Sequence, residues 1–596
     1  MTQAAAAKAD NGALPGWDLS DLYPAPDSDA LKHDLTEAAQ AAKALHQEFA
    51  GRVADLDGAA LGGLVARYET IRETLARLTS YAYLVYCTAM DDAETAQFFQ
   101  TVREETTATE SRLLFLTLEL NRIDDDALAE KLDAPALARY APWVRDVRTF
   151  RPYQLSDEVE RLLHEKQVAG RAAWMRLFDE TMAGLRFSVG GESLGSADAL
   201  NLLLDKDGEV RKEAAKAIGS VLGENVRTFA LITNTLAKDK EIEDQWRGFA
   251  RPISARNLGN RVEDEVVDAL IAAVEAAAPR LAHRYYALKA RWMGTDRLDY
   301  WDRSAPLPED DDRTIGWEEA SATVLAAYAA FSPALADIGR RFFDNDWIDV
   351  PVRHGKSPGA FAHPTVPGAH PYLLLNYQGK ARDVMVLAHE LGHGIHQVLA
   401  GGQGLLMAET PLTLAETASV FGEQLTFRAL LDGESDPVRR RVMLAGKVED
   451  MLNTVVRQVA FCAFERRVHE ERRSGELTPD RLSEHWLAVQ SESLGPALRF
   501  HDEYRYYWTY IPHFIHAPFY VYAYAFGECL VNALYAVYRA EPAGFEEKYI
   551  EMLRAGGSLR HRELLAPFGL DASDPAFWSL GLDVIAGFVD ELEATL

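Results

Sequence analysis

The stretch VMVLAHELGHGIHQVLA, from Val384 to Ala400, places three histidines and one glutamate in an otherwise apolar run. Its length and apolar flanks predict a buried helix. On a helix, His389 and His393 lie one above the other, because residues four apart share a face. Burying two imidazoles and an acid is costly unless they have a metal ion or strong partners. We therefore expect this helix to carry a site, and a helix with satisfied core histidines is the less favoured interpretation.

The residues His389, Glu390 and His393 form the pattern H-E-x-x-H. Two imidazoles at this spacing can present their nitrogens to one Zn²⁺ ion at ~2.0–2.1 Å. Glu390 follows the first histidine directly and can take a proton from a water molecule that attacks a carbonyl carbon. The sequence thus predicts one zinc ion per chain, held by His389 and His393, with Glu390 as the catalytic base.

A zinc site of this kind needs a third protein ligand, and the sequence offers an acidic one. The longer pattern H-E-x-x-H-x-x-G-x-x-H is absent, since His396 takes the place of its glycine and Leu399 that of its last histidine. Glu416 follows His389 by 27 residues, which leaves room for a turn and a second, antiparallel helix. We predict Glu416 as the third metal ligand. His396 is either a locally hydrogen-bonded histidine or a catalytic one.

Glu423 lies seven residues after Glu416, in the segment TPLTLAETASVFGEQLTFRALL. At this spacing the two carboxylates share one face of a helix, two turns apart. Glu423 is then placed to accept an N–H from a ligand histidine, which would fix the tautomer of that ring. The alternative is that Glu423 is a solvent-exposed carboxylate.

Most of the remaining sequence has helical periodicity, and strand signals are few. LRFSVGGESLG predicts a hairpin that turns at Gly190-Gly191. PYLLLNY, from Pro371 to Tyr377, predicts a strand just ahead of the histidine helix. We therefore expect a mainly α fold with a small β element near the active-site helix.

Three long helical stretches stand out: SDEVERLLHEKQVAGRAAWMRLFDETMAGLRF, GEVRKEAAKAIGSVLGENVRTFALITNTLAKDKEIEDQW and EDEVVDALIAAVEAAAPRLAHRYYALKARWM. The first opens with Ser156 as a candidate N-cap. A break near residues 188–200, without a change in composition, predicts two domains. These are an N-terminal helical domain, residues 1–190, and a catalytic domain, residues 191–596.

The composition limits the partners of the chain. Lys and Arg total 62 and Asp and Glu total 91, which gives a formal charge of −29. A nucleic-acid-binding protein needs a basic face, and an anionic membrane surface repels an acidic chain. We therefore expect neither nucleic acid nor membrane as a partner. The cysteines Cys87, Cys462 and Cys529 form no CxxC pair, and so few in a long chain predict a reducing compartment.

The start of the chain, MTQAAAAKADNGALPGWDLSDLY, has a short alanine run. It lacks the basic segment and the apolar segment of ~7–15 residues that make a secretory signal. No uninterrupted apolar run approaches ~20 residues, the length that crosses a bilayer. We expect the protein to be cytoplasmic.

The segment IPHFIHAPFYVYAYAFGE, from Ile511 to Glu528, is rich in aromatic hydrogen-bond donors. Pro518 suits a first helical turn. If the segment is helical, one face carries four side chains at spacings of three, four and four residues: His513, His516, Tyr520 and Tyr524. Such donors suit an oxyanion, whose hydrogen bonds strengthen as charge develops. Alternatively, the tyrosines are core aromatics.

These motifs together resemble one protein family. HELGHGIH followed by ETASVFGE resembles the zinc oligopeptidases of the thimet oligopeptidase class, family M3, and within it the oligoendopeptidase F branch. The resemblance spans nearly the whole chain through further motifs in the same order: WDLSDLYP, LDYWDRSAPL, GAFA, LLLNYQG, IPHFIHAPFYVYAYAFGE and AGGSLRHRELLAPFGLD.

The resemblance implies an elongated, mostly helical body with a deep channel, and zinc at the channel floor. It implies cleavage of internal bonds in short unfolded peptides. We expect the protein to be a monomer or small homo-oligomer. The His, Glu, His and distal Glu of the family fall on His389, Glu390, His393 and Glu416.

The family also places a histidine and tyrosines from the C-terminal element over the zinc. His513 matches that histidine. Tyr520 and Tyr524 are our predictions for the tyrosines from their shared face, and Tyr522 competes with them.

Two other functions stay open at this point. An exopeptidase with the same zinc chemistry, such as a carboxypeptidase, would need a fixed cation to bind a terminal carboxylate. Arg505, close to the tyrosines in sequence, keeps that possibility open. A non-catalytic peptide-binding protein is disfavoured, because every residue that the chemistry needs is present.

Overall fold

A computed structural model of the chain describes residues 14–307 and 313–595, without the side chain of Asp157. Residues 1–13, on which the expectation of no secretory signal depends in part, lie outside the described residues. In the described ranges, no helix is both long and apolar enough to cross a membrane.

Helices make up most of the described chain, as the sequence predicts. In chain order, the α-helices of the first half are α1 (Asp29–Phe49), α2 (Gly58–Thr88), α3 (Ala93–Ser111), α4 (Leu114–Arg122), α5 (Asp125–Leu132), α6 (Pro135–Ala138), α7 (Ala141–Val147), α8 (Asp157–Gln167), α9 (Arg171–Gly184), α10 (Ser196–Asn201), α11 (Gly208–Glu224), α12 (Val226–Arg247), α13 (Ser254–Gly259), α14 (Asp264–Ala277) and α15 (Ala282–Trp292). Those of the second half are α16 (Trp317–Phe331), α17 (Pro333–Asp344), α18 (Ala381–Ala400), α19 (Leu405–Ala408), α20 (Leu412–Ala415), α21 (Ser419–Gly433), α22 (Pro437–Leu452), α23 (Gln458–Arg472), α24 (Pro479–Leu494), α25 (His513–His516), α26 (Tyr522–Ala540), α27 (Phe545–Arg554), α28 (His561–Leu565) and α29 (Pro575–Glu593).

The strands are short and form three small sheets. They are β1 (Phe187–Val189), β2 (Glu192–Leu194), β3 (Leu298–Asp299), β4 (Ile348–Asp349), β5 (Phe361–His363), β6 (Tyr372–Leu374) and β7 (Leu498–Arg499). β1 and β2 form an antiparallel hairpin, and β3 pairs with β7 in parallel. In the third sheet, β6 lies between β4, to which it is parallel, and β5, to which it is antiparallel.

The chain divides into two compact units, each built from three segments. The first comprises Met1–Arg151, Asp312–Gly433 and Glu541–Phe568, and the second comprises Pro152–Asp311, Glu434–Ala540 and Gly569–Leu596. The histidine helix α18 and the sheet of β4, β5 and β6 belong to the first unit. The boundary at residue 190 that the sequence predicts is a different division of the chain and stays a prediction.

The predicted mainly α fold with small β elements is confirmed. Strands β1 and β2 meet at Gly190-Gly191, whose φ angles of +61° and +81° suit glycine at a hairpin turn. β6 occupies part of the predicted strand 371–377.

The three long helical stretches are each interrupted. The third breaks between α14 and α15 at a 3₁₀ turn that contains Pro279, because proline has no N–H to donate and its ring clashes with the preceding turn. The second breaks at Asn225 and the first near Gly170, where φ −103° and ψ −116° leave the helical range. Ser156 lies at the N-cap of α8, but its side chain makes no capping hydrogen bond.

Helix α18 is packed on several sides inside the first unit, against α16, α17, α21, α27 and strand β5. Its contact with the start of α21 is the closest, because Gly392 has no side chain. A Cβ at residue 392 would lie 2.5 Å from the backbone oxygen of Ala418. The helix backbone can therefore lie directly against the segment that holds Glu416.

Tyr328 of α16 braces the same contact from the side. Its hydroxyl donates to the carbonyl of Ala388, the residue before His389, at 3.0 Å. The hydroxyl occupies the space beside Gly422 of α21, where a Cβ would lie 1.7 Å from it. Burial raises the pKa of Tyr328, which keeps the phenol protonated and able to donate. This hydrogen bond fixes α18 at the turn that carries the first histidine.

Gly392→Ala is expected to destabilise the first unit, because the new methyl group meets backbone rather than a side chain that can move. We expect a loss of ~1–3 kcal/mol in the free energy of unfolding and a lower Tm, measured by circular dichroism. The matched control is Gly63→Ala on the exposed face of α2, where nothing lies within 4 Å of a new Cβ. That change should stabilise the helix by ~0.5–1 kcal/mol. Equal effects at the two positions would contradict the close approach of α18 and α21.

Candidate metal centre and active site

Three side chains of the first unit bring donor atoms to one point. One atom each of His389, His393 and Glu416 lies within 4.8 Å of the other two. The Oε2 atom of Glu416 is 3.4 Å from Nε2 of His389 and 3.4 Å from Nε2 of His393. Two ligands of a tetrahedral metal ion with bonds of ~2.0–2.1 Å are ~3.4 Å apart, so these separations fit. Two imidazoles and a carboxylate suit a divalent first-row metal ion.

Glu416 reaches this point from a turn, and not from the helix that the sequence predicts. α20 ends at Ala415 and α21 begins at Ser419, so Glu416 and Glu423 are not two turns apart on one helix. The carbonyl of Thr417 accepts the hydroxyl of buried Tyr549 at 2.8 Å, which takes it out of the helical hydrogen-bond pattern. The turn directs the carboxylate of Glu416 at the two histidines.

Two neighbouring groups orient the donor side chains. The hydroxyl of Ser419 donates to Oε2 of Glu416 at 2.6 Å. Oε2 of Glu423 lies 3.3 Å from Nδ1 of His389, the contact that the sequence predicts for this residue. A carboxylate at that nitrogen favours the tautomer that leaves Nε2 free to bind a metal.

The charges of the cluster shift the pKa values of its members in opposite directions. Burial alone would lower the pKa of His389, but the hydrogen bond to Glu423 and the charges of Glu416 and Glu390 raise it to about 9. Burial alone would raise the pKa of Glu416, but hydrogen bonding to His393, both imidazole charges and the hydroxyl of Ser419 lower it to about 2. Such a concentration of acidic groups around two imidazoles attracts a cation.

Glu390 is buried beside the same cluster and is 8% exposed. Burial, and to a lesser extent the charge of Glu416, raise its pKa, while the two imidazoles lower it less. The backbone of Ala362, in strand β5 at the edge of the small sheet, also lowers this pKa, by less than the imidazoles do. A carboxyl group with a raised pKa next to a cation site is suited to accepting and returning protons.

His396 has a local partner instead of a place in the cluster. Its Nε2 lies 3.3 Å from the hydroxyl of Thr410, and the ring is 5% exposed. Burial lowers its pKa to about 4, so the ring is neutral near pH 7. These contacts agree with the locally hydrogen-bonded alternative.

The C-terminal element, in the second unit, does not form the continuous helix on which the predicted stripe depends. α25 ends at His516, a turn follows, and α26 begins at Tyr522. Pro518 lies in that turn and not in a first helical turn. His516 does not lie with the other predicted donors. Its Nε2 lies 2.8 Å from the carboxylate of Asp179.

The turn nevertheless brings His513, Tyr520 and Tyr524 together. Nε2 of His513 lies 3.3 Å from the hydroxyl oxygen of Tyr524, and the rings of Tyr520 and Tyr524 are 5.3 Å apart. The competing Tyr522 is fully buried and accepts from Asn260 at 2.8 Å, so its hydroxyl faces the core. Arg505 donates to the carboxylate of Asp480 at 3.1 Å.

Sequence reasoning assigned no role to several residues that shape the site. Ser419 acts through a local contact with Glu416, three residues away, and Tyr328 acts through a contact between two helices that are distant in sequence. The glycines at positions 392 and 422 are signals that could have been read, because glycine inside a helix is unfavourable unless a close approach requires it.

Family comparison decides the identity of the chain. Residues 201–583, more than half of the sequence, match the model of peptidase family M3, and residues 119–187 match that of oligopeptidase F. The chain belongs to peptidase family M3. This M3 peptidase is therefore a hydrolase of the metallo-oligopeptidase type, and its predicted resemblance to the oligoendopeptidase F branch is confirmed.

Individual proteins agree with this assignment. Oligopeptidase PepF of Bacillus subtilis is 27% identical over 97% of this chain and 87% of its own length. Group B oligopeptidase PepB of Streptococcus agalactiae is 25% identical over 97% of this chain and 96% of its own length. Among crystal structures, oligoendopeptidase-F from Enterococcus faecium matches with a TM-score of 0.70 and 21% identity, over 96% of this chain and 99% of its own. That last likeness is one of fold.

Glu423→Ala is expected to weaken divalent-metal binding by ~10–100-fold, because Nδ1 of His389 loses the acceptor that fixes its tautomer. Affinity is measured by competition with a chelating dye. The matched control, Glu547→Ala on the exposed side of α27, removes a carboxylate from the same unit and should leave the affinity unchanged. If both variants bind the metal like the parent chain, Glu423 does not orient His389.

Proposed function

We propose that this M3 peptidase is a zinc-dependent endopeptidase that hydrolyses internal bonds of short, unfolded peptides. The observation that carries the proposal is the convergence of His389, His393 and Glu416 on one point, with the buried carboxyl of Glu390 beside them. A protein that only bound peptides would have no use for a base placed next to a cation site.

His389, His393 and Glu416 are the proposed zinc ligands. Their nitrogen and oxygen atoms, and their 3.4 Å separations, fit a tetrahedral zinc ion with one position left for water or substrate. When bound, zinc supplies a positive charge that polarises the substrate carbonyl and makes water more acidic. Ser419 and Glu423 hold two of the ligands in the orientation that this requires.

Glu390 is the proposed general base. Its carboxyl group takes a proton from the attacking water and passes it to the nitrogen of the departing peptide. Burial raises its pKa and so increases its strength as a base.

His513, Tyr520 and Tyr524 are proposed to donate hydrogen bonds to the oxyanion that forms on the substrate carbonyl. The family resemblance supports this role, and so does the clustering of the three side chains within the second unit. Hydrogen-bond donors that already point to the position where negative charge forms lower the activation free energy, because they need not reorient during the reaction.

The substrate class rests on the named relatives. Oligopeptidase PepF and group B oligopeptidase PepB bear names that refer to oligopeptides. The channel implied by the resemblance, with zinc at its floor, would exclude folded proteins. We propose the same class of substrate for this chain.

Three further expectations are kept as proposals. The division into residues 1–190 and 191–596 is supported by the two family models, whose matches end at 187 and begin at 201. A cytoplasmic location is supported by three buried cysteines without disulfide partners, Cys87, Cys462 and Cys529. A monomer or small homo-oligomer is the proposed assembly.

An exopeptidase remains the alternative function, but the residue proposed to bind the terminal carboxylate of its substrate is less available. Arg505, the proposed cation for a terminal carboxylate, is already paired with Asp480. An arginine with a carboxylate partner has less free energy to offer to a substrate terminus. This favours cleavage of internal bonds.

Glu390→Gln is expected to lower kcat by ~10²–10⁴-fold, because an amide cannot accept the proton of the attacking water. The zinc content of the purified variant, measured by mass spectrometry, should equal that of the parent, since Glu390 is not a ligand. Glu318→Gln in the first turn of α16 makes the same chemical change away from the cluster and should retain full activity. Unreduced turnover in the Glu390 variant would exclude the general-base role.

A peptide that is acetylated at its N-terminus and amidated at its C-terminus should be cleaved at an internal bond. An endopeptidase needs neither free terminus, whereas a carboxypeptidase needs the carboxylate that amidation removes. The products are identified by mass spectrometry, with the unblocked peptide of the same sequence as the control. Cleavage of the unblocked peptide alone would favour the exopeptidase.

A further inference from the structure

Phe519 adopts a backbone conformation that is unusual for its residue type. Its φ angle is +60°, in the left-handed region where side chains other than that of glycine are unfavourable, and its ring is fully buried. It belongs to the turn 517–520, closed by the hydrogen bond from the N–H of Tyr520 to the carbonyl of Ala517 at 3.0 Å. A turn with proline second and a positive φ third is of type II, which normally has glycine or asparagine at the third position.

The peptide unit between Pro518 and Phe519 is held at both ends by side chains of the second unit. Nε of Arg256 donates to the carbonyl of Pro518 at 3.1 Å. The N–H of Phe519 donates to Oε1 of Glu465 at 2.8 Å. A type I turn, which Phe519 would prefer, reverses the direction of this peptide unit and would break both hydrogen bonds. Arg256 and Glu465 therefore select the strained form of the turn.

Placing the carboxyl group of Glu465 at this buried position lowers the stability of the protein. It lies on α23, is 2% exposed, and its Oε2 has no hydrogen-bond partner in the described part of the chain. A buried carboxyl group with a hydrogen bond to only one of its two oxygens lowers the free energy of unfolding. Strain of this kind persists where the surrounding structure imposes it, and such places are concentrated at functional sites.

The turn joins the three proposed oxyanion donors. His513 lies in α25 before it, Tyr520 is its last residue, and Tyr524 lies in the first turn of α26 after it. The side chain of Arg256 also lies over the ring of Tyr520, at 6.0 Å from its centre. A reversal of the peptide unit next to Tyr520 would change the direction in which its phenol points.

We propose that Glu465 and Arg256 are positioning residues that hold the Pro518–Phe519 peptide in its type II orientation and thereby set the placement of Tyr520 relative to His513 and Tyr524. The inference rests on the proposed function of these three side chains. Neither Glu465 nor Arg256 has to contact the substrate for it to hold.

The test asks whether Glu465 acts as a hydrogen-bond acceptor for the N–H of Phe519 or through a negative charge. Burial raises the pKa of Glu465 to about 8, so its carboxyl group is largely neutral near pH 7, and glutamine is a close substitute that still accepts from Phe519. Glu465→Leu removes the acceptor. We expect Glu465→Leu to lower kcat at least tenfold with KM changed less than twofold, and Glu465→Gln to retain kcat within threefold.

Two controls separate positioning from folding. Glu241→Leu removes another buried carboxylate of the second unit, on α12, and should leave kcat unchanged. Arg256→Met acts on the other end of the same peptide from a half-buried position, so it reports even if Glu465→Leu fails to fold; it should also lower kcat at least tenfold. Circular dichroism and metal content should match the parent in every variant that is compared.

A further variant tests the turn itself. Glycine at position 519 adopts a positive φ without strain, so Phe519→Gly should make the clamp dispensable. Because this change also removes a buried ring, kcat of the double variant is compared with that of Phe519→Gly alone. In that background, Glu465→Leu should lower kcat less than threefold. An equal loss in both backgrounds, or a loss for Glu465→Gln as large as for Glu465→Leu, would overturn the proposal.

Comparison with Glu390→Gln distinguishes failure of the positioning role from failure of the proposed peptidase mechanism. If Glu390→Gln abolishes turnover while Glu465→Leu and Arg256→Met keep kcat within twofold of the parent, the positioning role is wrong and the peptidase mechanism stands. If Glu390→Gln remains fully active, the proposed mechanism fails, and the positioning of its oxyanion donors fails with it.

Discussion

The backbone of α18 lies against the turn at residues 416–418 so closely that position 392 has no room for a side chain. This approach places a carboxylate from one segment within reach of two imidazoles from another. Tyr328 supports it by bonding the carbonyl before His389 and filling the space beside Gly422. The cluster therefore depends on tight backbone packing as well as on the attraction between the imidazoles and the carboxylate of Glu416.

Neighbouring side chains also restrain two of the three side chains in the cluster. His389 has a carboxylate behind its Nδ1, and Glu416 has the hydroxyl of Ser419 on the same oxygen that faces the imidazoles. Each contact restricts a side chain that could rotate in several ways. A metal site assembled from such restrained donors loses less conformational entropy on binding than one assembled from free side chains.

A parallel logic holds in the second unit, where the element with His513, Tyr520 and Tyr524 is interrupted by a strained turn. A regular helix would have given these side chains the simple spacing of one face. The turn removes His516 and Tyr522 from the group and ties them to Asp179 and Asn260 instead. The remaining three come together because the backbone departs from the helix, and Glu465 and Arg256 stabilise that departure.

The sequence alone determined the helical class, the hairpin at Gly190-Gly191 and the pair His389 and His393, because these follow from local periodicity, from glycine at a turn and from a spacing of four. It also pointed to Glu416, through residue type and distance along the chain. Tertiary structure decided how that carboxylate arrives, since Tyr549 captures the carbonyl of Thr417 and ends the helix before it. The long predicted helices were also wrong, since they are interrupted at Gly170, Asn225 and Pro279. Periodicity records which face is apolar, but it does not record where the backbone leaves the helix or where a distant side chain such as Tyr549 binds a carbonyl.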